Sequence, residues 1–60
     1  MTPDEIKEAR DALGLTQAEL AARMGVTVDA VRAWEADRRP LQGAALVLLK
    51  TLVQNANREA

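Results

Sequence analysis

The stretch TQAELAARMGVTVDAVRAWE, positions 16–35, leaves this chain little choice of fold, because it contains two helix starts, a helix stop and regularly spaced apolar residues. Thr16 followed by Glu19 is a capping box: the hydroxyl accepts from an orphan amide at the helix start, and the carboxylate reaches back to the threonine's own amide. This spacing predicts a helix from Gln17 to about Met24, with Leu20, Ala21 and Met24 on one face and Gln17, Glu19 and Arg23 left to water. Gly25 supplies the stop, since glycine accepts the left-handed backbone that closes a helix. Val26 follows as an apolar residue beyond the turn, and Thr27 is a favourable N-cap for a second short helix, about Val28 to Ala36, that turns Val31 and Trp34 inward. The small side chain of Ala21 lets the two helices cross closely.

The same signals organise the rest of the chain. Thr2, Pro3 and Glu5 combine an N-cap, a proline at the first helical position and a capping-box carboxylate, predicting a helix from Pro3 to Leu13 that buries Ile6, Ala9 and Leu13 and stops at Gly14. After Arg38, Arg39 and Pro40, the apolar run LQGAALVLLKTLV predicts a last helix over about 41–55, and the closing NANREA is expected to fray. No repeat or linker interrupts the sequence, so residues 1–60 read as one all-α domain with its helix-turn-helix at about 16–36.

Sixty residues enclose a small core, worth only a few kcal/mol beyond the entropy of ordering the chain. With no cysteine and no histidine, disulfides and the usual zinc ligand sets are excluded, no metal or cofactor is expected, and dimerisation is the remaining common support. The charged start MTPDEIKEAR lacks the apolar centre of a signal peptide, and no run approaches a membrane span, so a cytoplasmic protein is expected. An enzyme is disfavoured because the only hydroxyl side chains are threonines placed mostly as caps, and so short a chain rarely encloses a pocket.

The TQAELA run, the MGVT turn, the VxxWE ending and the RRP that follows resemble the Xre/Cro-like family of bacterial and phage repressors, over roughly residues 6–52. The resemblance implies a lambda repressor-like bundle of four to five helices with a DNA-reading helix-turn-helix. It further implies that Gln17 binds a phosphate at a helix start, where backbone donors and dipole favour an anion. Arg10 and Glu35 stand where related repressors pair a first-helix arginine with the glutamate ending the recognition helix, which would tie the two helices together and leave Arg10 near a phosphate. Thr27, Arg38 and Arg39 complete the expected phosphate contacts.

In such a unit the second helix enters the major groove. With Val31 and Trp34 inward, its outward positions are expected to be Val28, Asp29, Arg32 and Ala33. Arg32 is the strongest base reader, because a guanidinium pairs bidentately with guanine O6 and N7. Asp29 accepts from cytosine N4 or stabilises the helix start, and Val28 and Ala33 offer apolar contact to a thymine methyl. Better-known members often carry glutamine, serine or more arginine at these positions. Trp34 is expected in the core, and as the only aromatic residue it leaves no interleaved stacking surface for single strands.

Charge works against simple electrostatic binding. Eight basic residues face nine acidic ones, a net charge of -1. Asp4, Glu5, Glu8, Asp11 and Glu19 outweigh Lys7 and Arg10 in the first part of the chain, whereas Arg23, Arg32, Arg38 and Arg39 outweigh Asp29, Glu35 and Asp37 in the middle. Modest non-specific affinity and a few placed contacts are therefore expected.

Helix 4 should turn Leu41, Ala45, Leu48 and Leu52 to the core, while Leu46, Leu49 and Val53 extend the apolar surface to roughly 200°, about twice what a surface helix uses. That excess predicts a homodimer seam at Leu46, Leu49 and Val53. Two function classes follow: a dimeric repressor of palindromic double-stranded DNA, such as a Cro-like, anti-CRISPR-associated or self-regulating protein, and an antitoxin or other protein-interaction module with a toxin as partner. The short tail after Val53 favours the first.

Overall fold

The computed structural model describes residues 1–59 as four helices with no strand among them: α1 (Pro3–Leu13), α2 (Gln17–Met24), α3 (Val28–Glu35) and α4 (Gly43–Glu59). Both capping boxes form. The Thr2 hydroxyl accepts from the Glu5 amide at 3.2 Å and the Glu5 carboxylate accepts from the Thr2 amide at 2.8 Å, and Thr16 and Glu19 repeat the exchange at 3.1 and 2.9 Å. Thr27 caps α3 by accepting from the Ala30 amide at 3.2 Å.

Three helix ends share one closure, in which the second residue past the helix (the third at α3) donates back across the last turn. Leu15 donates to the Arg10 carbonyl at 3.2 Å, Val26 to Ala21 at 3.0 Å and Arg38 to Ala33 at 2.9 Å. At α2 the left-handed pivot is Gly25, with φ of 71°. At α3 it is Asp37, the one non-glycine residue with positive φ among the described residues, at 60°. Aspartate tolerates this region better than most residues but still carries a steric penalty that glycine avoids.

α3 packs against α2 and α1, and α4 lies across α1 and α2. Ile6, Leu20, Val31 and Leu49 are fully buried at the centre, with Ala9, Ala21, Met24, Ala30, Trp34 and Leu41 around them. Each large aliphatic side chain so enclosed contributes about 1.5–3 kcal/mol relative to exposure, a large share of what so small a domain has.

α4 departs from the expected pattern in three ways. It begins at Gly43 rather than near Leu41, because Gly43 takes a left-handed φ of 64° that keeps the preceding residues out of the helix. Leu41 reaches the core from the connecting segment instead. The helix also runs on to Glu59 instead of fraying after Asn55, since each residue added to a formed helix gains a hydrogen bond with no new nucleation. Ala60, the last of the residues expected to fray, lies outside the described residues.

The third departure is rotational. Leu49, expected at a dimer seam, is fully buried in the core of the single chain, while Ala45, Leu48 and Leu52 are only half-buried. The helix wheel gives the angles between α4 residues but not which angle faces α1 and α2. Leu46 and Val53 are half-buried against the core, and Val47 is a large aliphatic residue of this helix left exposed, at 63%.

Candidate nucleic-acid interface

Of the eight residues of α3, Ala30, Val31, Ala33, Trp34 and Glu35 are buried. Val28 is half-buried and packs against the core. Asp29 and Arg32 are left to face solvent, one turn apart, and Ala36 continues their line just past the helix. The i, i+3 and i+7 spacing of these three residues is enough to place them on one face, so Ala36 was accessible to the same wheel that found Asp29 and Arg32.

Ala33 does not lie on this face, against expectation. It is 6% exposed, and the turn after α3 folds back so that both the Arg38 and Arg39 amides donate to its carbonyl, at 2.9 and 3.4 Å. Val28 is likewise more core than surface. The expected base-contact set therefore contracts to Asp29 and Arg32, whose side chains are 86% and 57% exposed and whose charged atoms approach to 3.6 Å.

The outward face is held from behind by a buried polar cluster. Glu35, at the last position of α3, has a side chain only 3% exposed, and a carboxylate so placed needs full pairing. It accepts from Arg10 Nε at Oε2 (2.9 Å) and from Arg10 Nη2 at Oε1 (3.1 Å), the side-on, two-point geometry that suits a guanidinium. Oε1 also accepts from Gln17 Nε2 at 3.3 Å. Arg10 Nη1 donates to the Leu15 carbonyl at 3.1 Å, so one guanidinium ties α1 to α3 and to the loop before α2. Hydrogen bonding to Glu35 holds the Arg10 guanidinium above its ordinary range, with burial pulling the other way. Among the described residues no buried side-chain nitrogen or oxygen lacks a partner.

The structure thus joins Arg10 and Glu35 as expected and adds Gln17, which the sequence offered only as a phosphate contact. No local pattern signals that third member, because its bond to Glu35 spans 18 positions. Gln17 stays half-buried at the start of α2, and its amide oxygen makes no hydrogen bond within the described residues. Thr27, Arg38 and Arg39 are exposed around α3, Thr27 at its start and the two arginines beyond its end.

No group of His, Cys, Asp or Glu side chains among the described residues is placed to hold a metal ion, and no helix is long and apolar enough to cross a membrane. No curated protein and no solved structure matches the chain. The helix-turn-helix family matches residues 6–52, which takes in most of α1, all of α2 and α3, and α4 as far as Leu52. This chain belongs to the Xre/Cro-like helix-turn-helix family of DNA-binding regulatory domains.

Proposed function

We propose that the chain is a cytoplasmic transcriptional repressor that binds a palindromic operator as a homodimer, each copy laying α3 in the major groove. One observation carries this reading: Arg32 and Asp29 stand alone and exposed on a helix whose other residues are committed to the interior and whose end is clamped by Arg10. A rigid helix presenting a guanidinium and a carboxylate matches the acceptors of guanine and the amino donor of cytosine in the major groove. Gln17, Thr27, Arg38 and Arg39 flank that helix, and Arg10 lies behind it, where phosphates bordering the groove would pass. The remaining apolar surface of α4, at Leu46, Val47 and Val53, supplies the seam that places two copies of α3 about one helical turn apart.

The test begins with selection of bound duplexes from a random pool, followed by mobility shifts on the selected operator and on scrambled DNA. Arg32→Ala should cost about 1–3 kcal/mol on the operator and relax the preference at one guanine per half-site. Arg39→Ala should weaken binding to all sequences about equally and flatten the salt dependence. Failure of the unaltered protein to bind any duplex at low salt would overturn the DNA reading and leave an antitoxin-like protein-interaction module in its place.

A further inference from the structure

Arg32 is the only cation between Val28 and Glu35, and its partner is a carboxylate on the same face. Asp29 Oδ1 lies 3.6 Å from Arg32 Nη1, one turn earlier in the helix. The second acid of the helix, Glu35, is buried and satisfied by Arg10 and Gln17, so it contributes nothing to this face. The surface that α3 would present to DNA is therefore formally neutral, and the cations on either side of the groove come from other segments, Arg38 and Arg39 among them.

Neutrality has a chemical consequence at a polyanion. A free arginine gains from any phosphate, whatever the sequence. An arginine with a carboxylate beside it gains little there, because the phosphate that attracts the guanidinium repels its neighbour. A guanine edge offers acceptors to the guanidinium, and the amino group of the paired cytosine offers a donor to the carboxylate, so both charges are satisfied only over base edges of that kind. The pair at 3.6 Å is also loose and exposed enough to open without a large penalty.

We infer that Asp29 is the specificity-determining residue of this domain, acting through Arg32: it cancels the arginine's attraction to phosphate, so that α3 engages only where a guanine edge replaces it. The inference rests on the DNA-reading function proposed above. It assigns Asp29 a positioning role distinct from a cap, since Thr27 already caps α3.

The experiment is a salt titration of binding to the selected operator and to scrambled duplex by the full chain and by Asp29→Asn. Removing the charge should raise affinity for scrambled duplex about threefold to tenfold. It should steepen the dependence of log affinity on log salt by about 0.9, the increment for one more phosphate contact, and so narrow the ratio of operator to scrambled binding. Asp29→Glu should keep the parent's slope and ratio, and in an Arg32→Gln background Asp29→Asn should change scrambled binding much less. Thermal melts confirm that the variants are folded, and if Asp29→Asn is not, Asp29→Ser makes the same test. An unchanged or lowered affinity of the charge-removed variant for scrambled duplex overturns the inference while leaving the DNA reading intact. No duplex binding by the parent overturns both.

Discussion

Arg10 and Glu35, 25 positions apart, meet through two parallel hydrogen bonds of 2.9 and 3.1 Å, and that contact fixes the end of α3 to α1. Its weight comes from the burial of Glu35. Removing Arg10 leaves the buried Glu35 carboxylate without its counter-charge and with only the Gln17 amide as a partner, which costs more than the pair contributes when intact.

Arg10→Ala should therefore destabilise the domain by about 3–5 kcal/mol, enough to unfold much of so small a protein. Adding Glu35→Ala should recover part of the loss, because the stranded carboxylate goes with it. Thermal or urea melts of the four proteins in the cycle decide the matter, and strictly additive effects would rule out the coupling.

The turn after α3 makes a contrasting prediction. Asp37→Gly should stabilise by about 0.5–1 kcal/mol, since φ of 60° suits glycine and strains aspartate. Gly25→Ala should destabilise by about 1 kcal/mol or more although no atom lies near the added methyl, the penalty being in the backbone alone. Melting temperatures moving in the same direction for both variants would contradict the left-handed assignment.

Acid should act through the helix starts. Hydrogen bonds from the backbone and hydroxyl of Thr2 hold the Glu5 carboxyl below its ordinary value of 4.5, and Thr16 does the same for Glu19. A carboxylate whose value is lowered by folding contributes stability that is complete above its unfolded value and is lost as pH falls through the folded one. The melting temperature should accordingly decline below pH 4.5. The decline should shrink in the double variant Glu5→Gln, Glu19→Gln. An identical acid profile for parent and variant would remove these groups from the account.

Leu46 and Leu49 separate assembly from folding. Leu46→Glu should yield a folded monomer with weakened operator binding, whereas Leu49→Ala should lose about 2–5 kcal/mol of stability within each chain. Sedimentation of the parent as a pure monomer at micromolar concentration, with operator binding intact, would refute the seam.

The parts of this fold that the sequence announces are those determined by near neighbours. Thr2 with Glu5, Thr16 with Glu19, and Gly14 and Gly25 each act within a turn or two, and α1 and α2 fall where those residues put them. Rotation about a helix axis is different, because it depends on what lies opposite. Leu49 and Leu48 are equally apolar, and only the positions of α1 and α2 decide that Leu49 is enclosed and Leu48 half-covered. The turn that closes onto the Ala33 carbonyl is hidden for a related reason: it depends on Asp37 adopting a conformation that is unusual for an aspartate. The pairing of Arg10 with Glu35 is legible through family resemblance alone, and the exposed pair Asp29 and Arg32 through the helical wheel.

Under the proposed function, the burial of most of α3 limits how this domain can acquire a new target. Five of its eight residues are buried, so altering them changes stability before it changes recognition. Asp29, Arg32 and Ala36 are the positions where a substitution alters the exposed face while the core stays as it is. Drift in operator preference among descendants of this sequence, or its redirection in the laboratory, is channelled through that short alphabet.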